Sequence, residues 1–141
     1  MRAPLLLTVC ALTLGLVACS GSNPGPRPFG EPETKAINEL VAEFTTIYNT
    51  KDAAKLATLF TGGGAVMPPN ASTVRGTESV REYYVGRFAA GASDLQLEAQ
   101  TVSGSGALAF ASGDYRLIMR PAEGQARRDR GKFIFILREL N

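Results

Sequence analysis

The chain has 141 residues, with 15 Lys and Arg against 13 Asp and Glu for a net charge of +2. That length suits one domain with a modest core, and so small a charge gives no bulk pull toward nucleic acid or anionic lipid. The chain contains no His and no Trp. It therefore lacks the commonest metal ligand and the commonest general base at neutral pH.

The first stretch is an address. Arg2 is followed by an apolar run from Leu5 to Ala18. This run is shorter than the ~20 residues needed to span a bilayer and suits the h-region of a secretory signal. Leu16-Val17-Ala18-Cys19 resembles a bacterial lipobox. The resemblance implies that residues 1–18 are a signal peptide, that cleavage falls after Ala18, and that Cys19 carries diacylglycerol and a further acyl chain such as palmitate. Two or more chains anchor a protein firmly where one does not. Ser20 after the Cys implies an outer-membrane destination, facing the periplasm or the cell surface. With Cys10 in the leader and Cys19 lipidated, no thiol remains for a disulfide or a thiolate metal site. The alternative is an ordinary cleaved signal with a chance Cys.

Residues 19–33 follow as a linker, with Pro24, Pro26, Pro28 and Pro32 set among Gly and polar residues. Extended, it reaches roughly 40 Å. The domain proper is expected over 34–141. Thr34 is expected to cap a long helix, with Ile37, Leu40, Val41, Phe44, Ile47 and Tyr48 at the i, i+3, i+4 spacing of one buried stripe. Asn49, Thr50 and Lys51 break that pattern, and Asp52 caps a shorter helix bearing Leu56, Leu59 and Phe60. A turn at Gly62 to Gly64 leads to a short strand Ala65-Val66-Met67, stopped by Pro68-Pro69. Thr73-Val74-Arg75 pairs briefly. Thr77 is expected to cap a third helix, with Val80, Tyr83, Tyr84 and Phe88 on its apolar side.

From Asp94 the period falls to two, with Leu95, Leu97, Ala99 and Thr101 on one face. Gly104-Ser105-Gly106 marks a hairpin, Ala107 to Arg120 a second strand, Pro121 to Gly124 a turn, and Ala126 to Leu140 a third strand. Helices on one face of a curved antiparallel sheet define an α+β class.

The order and spacing of these segments resemble the nuclear-transport-factor-2-like superfamily, nearest its SnoaL-like and ketosteroid-isomerase-like domains, over about 34–141. The segments that carry the resemblance are Tyr48-Asn49-Thr50-Lys51-Asp52, Leu59-Phe60, Ala65-Val66-Met67-Pro68-Pro69, Val74-Arg75-Gly76-Thr77-Glu78, Ala109-Phe110-Ala111-Ser112-Gly113-Asp114-Tyr115 and Asp129-Arg130-Gly131-Lys132-Phe133. The implied fold is a cone: three helices, with the bent sheet wrapped around the long N-terminal one and a pocket at the open end. Two departures stand out. The steroid-isomerase acid–base positions fall here on Phe44, Pro68 and Gly131, so that chemistry does not carry over. Relatives also add a final strand where this sequence reads Glu139-Leu140-Asn141, so the domain is expected to be C-terminally truncated, or its sheet to close differently, or a partner to supply the strand.

The expected ligand pocket is lined by Tyr48, Phe60, Met67, Tyr84, Phe88, Tyr115, Leu117, Met119, Phe133 and Phe135, with Asp129 as its carboxylate; the same residues also read as plain core. Tyr48 and Tyr115 supply orienting hydroxyls. By strand parity Asp129 shares the face of Phe133 and Phe135 while Asp114 lies opposite Tyr115, which makes Asp129 the candidate for a raised pKa. Arg127, Arg128, Arg130 and Lys132 form a basic cluster, read either as a solvated hairpin or as a phosphate or acidic-partner site. No cofactor, no metal, no catalytic residue and no nucleic-acid partner is assigned. Three readings remain: a lipid-anchored domain that binds a small apolar ligand or a partner without catalysis; an isomerase, cyclase or hydratase using Asp129 with Tyr48 or Tyr115; or an assembly module forming a homodimer through the outer sheet face.

Overall fold

The computed structural model describes residues 28–140. The leader, Cys19 and most of the linker lie outside the described residues, as does Asn141.

The first helix, α1 (Glu31–Asn49), starts earlier than Thr34. Gly30 is its N-cap, and Pro32 occupies the first turn, where a missing N–H costs nothing. The Gly30 N–H donates to Glu33 Oε2 at 2.9 Å, and Glu31 and Glu33 place negative charge at the positive helix end. Thr34 is not the cap: its hydroxyl donates back to the Gly30 carbonyl at 2.9 Å. The linker is correspondingly shorter than expected. Pro32 belongs to the helix, and Phe29 packs half-buried against Ile37, Val41 and Ala111.

The corner after α1 passes through Lys51 at φ +59°. Asp52 caps α2 (Ala53–Ala57) by accepting the Lys55 N–H at 2.9 Å. α2 buries Ala53, Leu56 and Ala57. Two short strands, β1 (Ala65–Val66) and β2 (Val74–Arg75), pair antiparallel as a ribbon of their own. Met67 is not part of β1, because Pro68-Pro69 removes the donors that would extend the ladder. α3 (Thr77–Ala89) follows, with Gly76 at φ +84° as its N-cap in place of Thr77. Val80, Tyr84 and Phe88 are buried on it.

The main sheet is an antiparallel meander of β3 (Ala92–Ser105), β4 (Leu108–Met119) and β5 (Arg127–Arg138). The hairpin between β3 and β4 is tighter than expected: Gly104 and Ser105 stay in the strand, and only Gly106 and Ala107 turn, with Gly106 at φ +58°. β3 carries two irregularities, between Ser93 and Gln96 and between Ala99 and Thr101. Each bends the strand and shifts its parity. After the second, Val102 takes the inner face and Thr101 is exposed, contrary to the simple alternation.

The first irregularity is held from outside the sheet. Leu95 donates its N–H to Asn49 Oδ1 at 2.8 Å, and Asn49 Nδ2 donates to the Leu95 carbonyl at 2.9 Å. The side-chain amide at the end of α1 thus stands in for a neighbouring strand where the ladder skips. It ties α1 to the concave side of the curved sheet, along β3. Among the described residues no strand pairs with the second edge of β5.

The core forms two clusters along α1. One gathers Phe44, Ile47 and Tyr48 with α2, α3 and the near ends of β3 and β4. The other holds Ile37, Val41 and Ala111, with Phe133 and Leu137 against them. Residues of one parity on β4 and β5 face this core, and the other parity faces out.

Candidate ligand site

Most of the expected pocket residues meet on the concave side as a wall of rings. The Phe44 and Phe135 centroids are 4.9 Å apart, Phe133 and Phe135 5.0 Å, and Tyr48 and Phe88 5.0 Å. Tyr84 contacts Tyr48 at 6.1 Å and Phe60 at 6.3 Å. Such pairs add about 0.5–1.5 kcal/mol each beyond area burial. Leu117 and Met119 are buried beneath them. These residues therefore fill the space between the helices and the sheet. Met67 stands apart from them at 75% exposed. Open space lies along β4 and β5, as a cleft of about 920 Å³ lined mostly by outward-facing residues such as Asp114, Arg116, Arg128, Arg130 and Lys132, and also by Tyr115, Leu117, Asp129 and Gly131.

Gly131 decides how Tyr115 sits there. The two residues pair across β4 and β5, and a Cβ on Gly131 would lie 2.7 Å from Tyr115 Cε1 and 3.0 Å from its hydroxyl. The Tyr115 ring thus lies flat over a backbone with no side chain, and its hydroxyl reaches β5. Asp129 sits half-buried on the same face, two residues earlier. Asp114 faces outward, as strand parity requires, between Lys132 and the Gln100 amide at 2.7 Å. Lys132 holds the Asp114 carboxyl below its ordinary range. Of the basic cluster, Lys132 is thereby engaged, while Arg127, Arg128 and Arg130 are exposed.

From the other side α3 presents Tyr83 and Arg87, one turn apart and both half-buried. The Arg87 guanidinium lies near the buried Tyr48 hydroxyl. Burial pushes the Tyr48 phenol above its ordinary pKa, and Arg87 partly opposes this. Burial pushes Tyr84 higher still. Tyr115 is raised by burial first and by the Asp129 charge second, with Arg87 acting the other way. Four phenols, Tyr48, Tyr83, Tyr84 and Tyr115, therefore share one electrostatic neighbourhood with Arg87 and Asp129. Sequence reasoning named Tyr48, Tyr115 and Asp129 as candidates and did not name Arg87. The available signal was its spacing: Arg87 lies three residues after Tyr84 and four after Tyr83, on the side of α3 that carries the stripe. Among the described residues no group of three or more Cys, Asp or Glu could hold a metal ion.

The SnoaL-like domain family model matches residues 41–139. No curated protein matches the sequence. Among solved structures, a ketosteroid isomerase-like protein from Erwinia carotovora atroseptica is 23% identical, with 77% of this chain and 85% of that one covered at a TM-score of 0.66. A protein of unknown function with a cystatin-like fold from Nostoc punctiforme is 16% identical, covering 82% and 86% at 0.66. An NTF2-like protein with a cystatin-like fold from Novosphingobium aromaticivorans is 19% identical, covering 74% and 71% at 0.58. Likeness at these identities concerns the fold.

Proposed function

The chain belongs to the SnoaL-like domain family, within the nuclear-transport-factor-2-like superfamily, and on that footing we propose that it binds a small, mainly apolar molecule at the mouth formed by Tyr48, Tyr83, Arg87, Tyr115 and Asp129. The observation that carries this reading is the convergence of polar groups from α1, α3, β4 and β5 at one end of an otherwise apolar interior. Binding sites commonly pair an apolar wall with a few convergent polar groups. Binding without catalysis is the favoured form, since Phe44, Pro68 and Gly131 stand at the steroid-isomerase acid–base positions. Melting the full chain against a panel of small aromatic and alicyclic compounds tests it. A bound compound at about 100 times its Kd stabilises by about 2.7 kcal/mol, and Tyr115→Ala is expected to abolish the shift. A panel that leaves the melt unmoved, or a shift that survives Tyr115→Ala, would overturn the site.

One observation favours a catalytic variant of the same reading. The Asp129 charge acts directly on the Tyr115 phenol, which places a base and a proton donor side by side, as an isomerase, cyclase or hydratase requires. Turnover of an enolisable ketone, lost in Asp129→Asn, would support it; no turnover favours binding alone.

The proposed setting is the bacterial cell envelope, through a lipid on Cys19. The lipobox-like run Leu16 to Cys19 supports this. Intact mass of the membrane-fraction protein should show the added lipid, and Cys19→Ala should lose it. An unmodified Cys19, or an unaltered leader, would remove the anchor from the proposal.

A further inference from the structure

We infer that the outward cleft along β4 and β5 binds a small phosphorylated molecule, whose dianionic phosphate bridges Arg116 and Arg130. This site lies on the outer face of the sheet and is independent of the ligand reading above.

Strand register builds the site. Arg116 on β4 pairs directly with Arg130 on β5, so their Cα atoms stand about 4.5–5.5 Å apart. Both side chains are exposed on the outer face, and Arg128 precedes Arg130 by two residues on that face. All three line one cleft of about 920 Å³, a volume within the range of small-molecule sites. The neighbouring outward pair, Asp114 with Lys132, is complementary in charge and forms an ion pair. At the next pair along, the position where a carboxylate would answer Arg130 holds Arg116 instead. Like charges directly opposite on a sheet are destabilising, and an anion seated between them reverses the sign of the contact.

The ion pairs of this face show which cations stay available. Lys132 engages Asp114, and Arg120 engages Asp94. Arg116 meets Glu98 at 3.3 Å, with the two side chains 66% and 67% exposed. So exposed a pair is worth little, and it uses one of the five N–H donors in the guanidinium fork. Among the described residues no ion pair engages Arg128 or Arg130.

Two forks call for two negative charges. A carboxylate brings one charge and two oxygens, which a single fork occupies. A phosphate monoester brings about −1.5 to −2 charges and three acceptor oxygens at neutral pH, enough for both forks. Ile118, opposite Arg128, and Gln96, opposite Arg116, also line the cleft. They offer the rest of the molecule an apolar contact and an amide. Asp94 and Asp114 flank the cleft, each held by its own cation, and confine the phosphate to the arginine pair. A cleft of this size suits a free molecule better than a flat bilayer.

The test is calorimetric titration of the full chain with phenyl phosphate and with benzenesulfonate, at a pH well above the phosphate's second pKa of about 6. Both probes carry a tetrahedral anionic group on one ring, with two charges against one. Phenyl phosphate is expected to bind about ten times tighter or more, because the second guanidinium adds a charge-assisted bond. Arg130→Gln and Arg116→Gln should each remove that preference. Arg138→Gln makes the same charge change at the far end of the outer face of β5 and should leave it intact. All three side chains are exposed, so the fold should tolerate each change, and near-ultraviolet circular dichroism verifies this. Equal affinities in the parent chain, or no binding of phenyl phosphate, would overturn the site. An equal loss in Arg138→Gln would assign the preference to net charge and overturn it too. Vesicles of phosphatidic acid in phosphatidylcholine form the last arm. Flotation of the chain with these vesicles, without binding of phenyl phosphate, would give the cations to a lipid surface and overturn the free ligand.

Discussion

Consecutive residues of β5 have opposite fates. Phe133 and Phe135 pack into the ring wall, Phe135 directly on Phe44. Ile134 and Ile136, between and beside them, are 62% and 71% exposed. All four are strongly apolar, so hydrophobicity alone does not separate them. The difference lies in what covers each face: α1 lies over the concave side, while among the described residues nothing lies over the convex one. A period of two sorts residues onto two faces, but packing chooses the inner one.

The sharpest way to break this comparison is to empty the covered side. Phe44→Ala removes the ring that Tyr48, Phe60, Tyr84 and Phe135 all touch. It is expected to cost about 3–5 kcal/mol, read as a drop in the urea midpoint. A cost below about 1 kcal/mol would mean that the ring wall is loosely packed.

The next effect concerns how α1 is held on that side. Asn49→Ala should cost about 1–3 kcal/mol, since it strips partners from both Leu95 backbone groups at the bulge. Amide exchange at Leu95 should accelerate more than at Ala111. An unchanged rate at Leu95 would show that the bulge holds itself.

Gly131→Ala probes the mouth. The new Cβ would strike the Tyr115 ring, and overpacking of this kind costs about 1–3 kcal/mol. The ring is expected to swing off β5, with a changed near-ultraviolet tyrosine signal and weakened ligand binding. Gly131→Ala with Tyr115→Ala should recover most of the lost stability.

The buried phenols give a pH signature. Tyr48 and Tyr84 have folded pKa values above the ordinary 10.0. Their contribution is complete below pH about 10 and is lost as pH rises toward the folded values, because the unfolded chain gives up its protons first. Stability should fall with rising pH from about 10 upward, and Tyr84→Phe should flatten that fall. An equally steep fall in the variant would place its source elsewhere.

The smallest effect is expected on the open face. Ile136→Ser should change monomer stability by no more than about 0.5 kcal/mol. A larger, concentration-dependent loss, matched by a sedimentation shift, would instead mean that a second copy covers the Ile134 and Ile136 face. That outcome would support the homodimer reading.

Much of the fold was legible because its signals are local. The i, i+3, i+4 stripe from Ile37 to Tyr48 depends only on helical geometry. The Asp52 cap depends on a side chain three residues from its donor, and the change to period two marks the start of the sheet. The helix starts at Gly30 and Gly76 were misjudged for a local reason too. Thr34 and Thr77 are good caps by residue type, but Pro32 with Glu33, and the +84° φ open to Gly76, suited the preceding glycines better.

The sequence by itself determined the elements, their order and the α+β class, because these follow from spacings within a few residues. Tertiary structure alone decided that β3 would skip its ladder opposite Asn49, 46 residues away, that rings expected around a pocket would pack on each other, and that Arg87 would reach Tyr48. Those outcomes depend on which distant groups share a small volume. Side-chain packing and the demand that buried polar groups find partners settle that, and neither leaves a periodic trace along the chain.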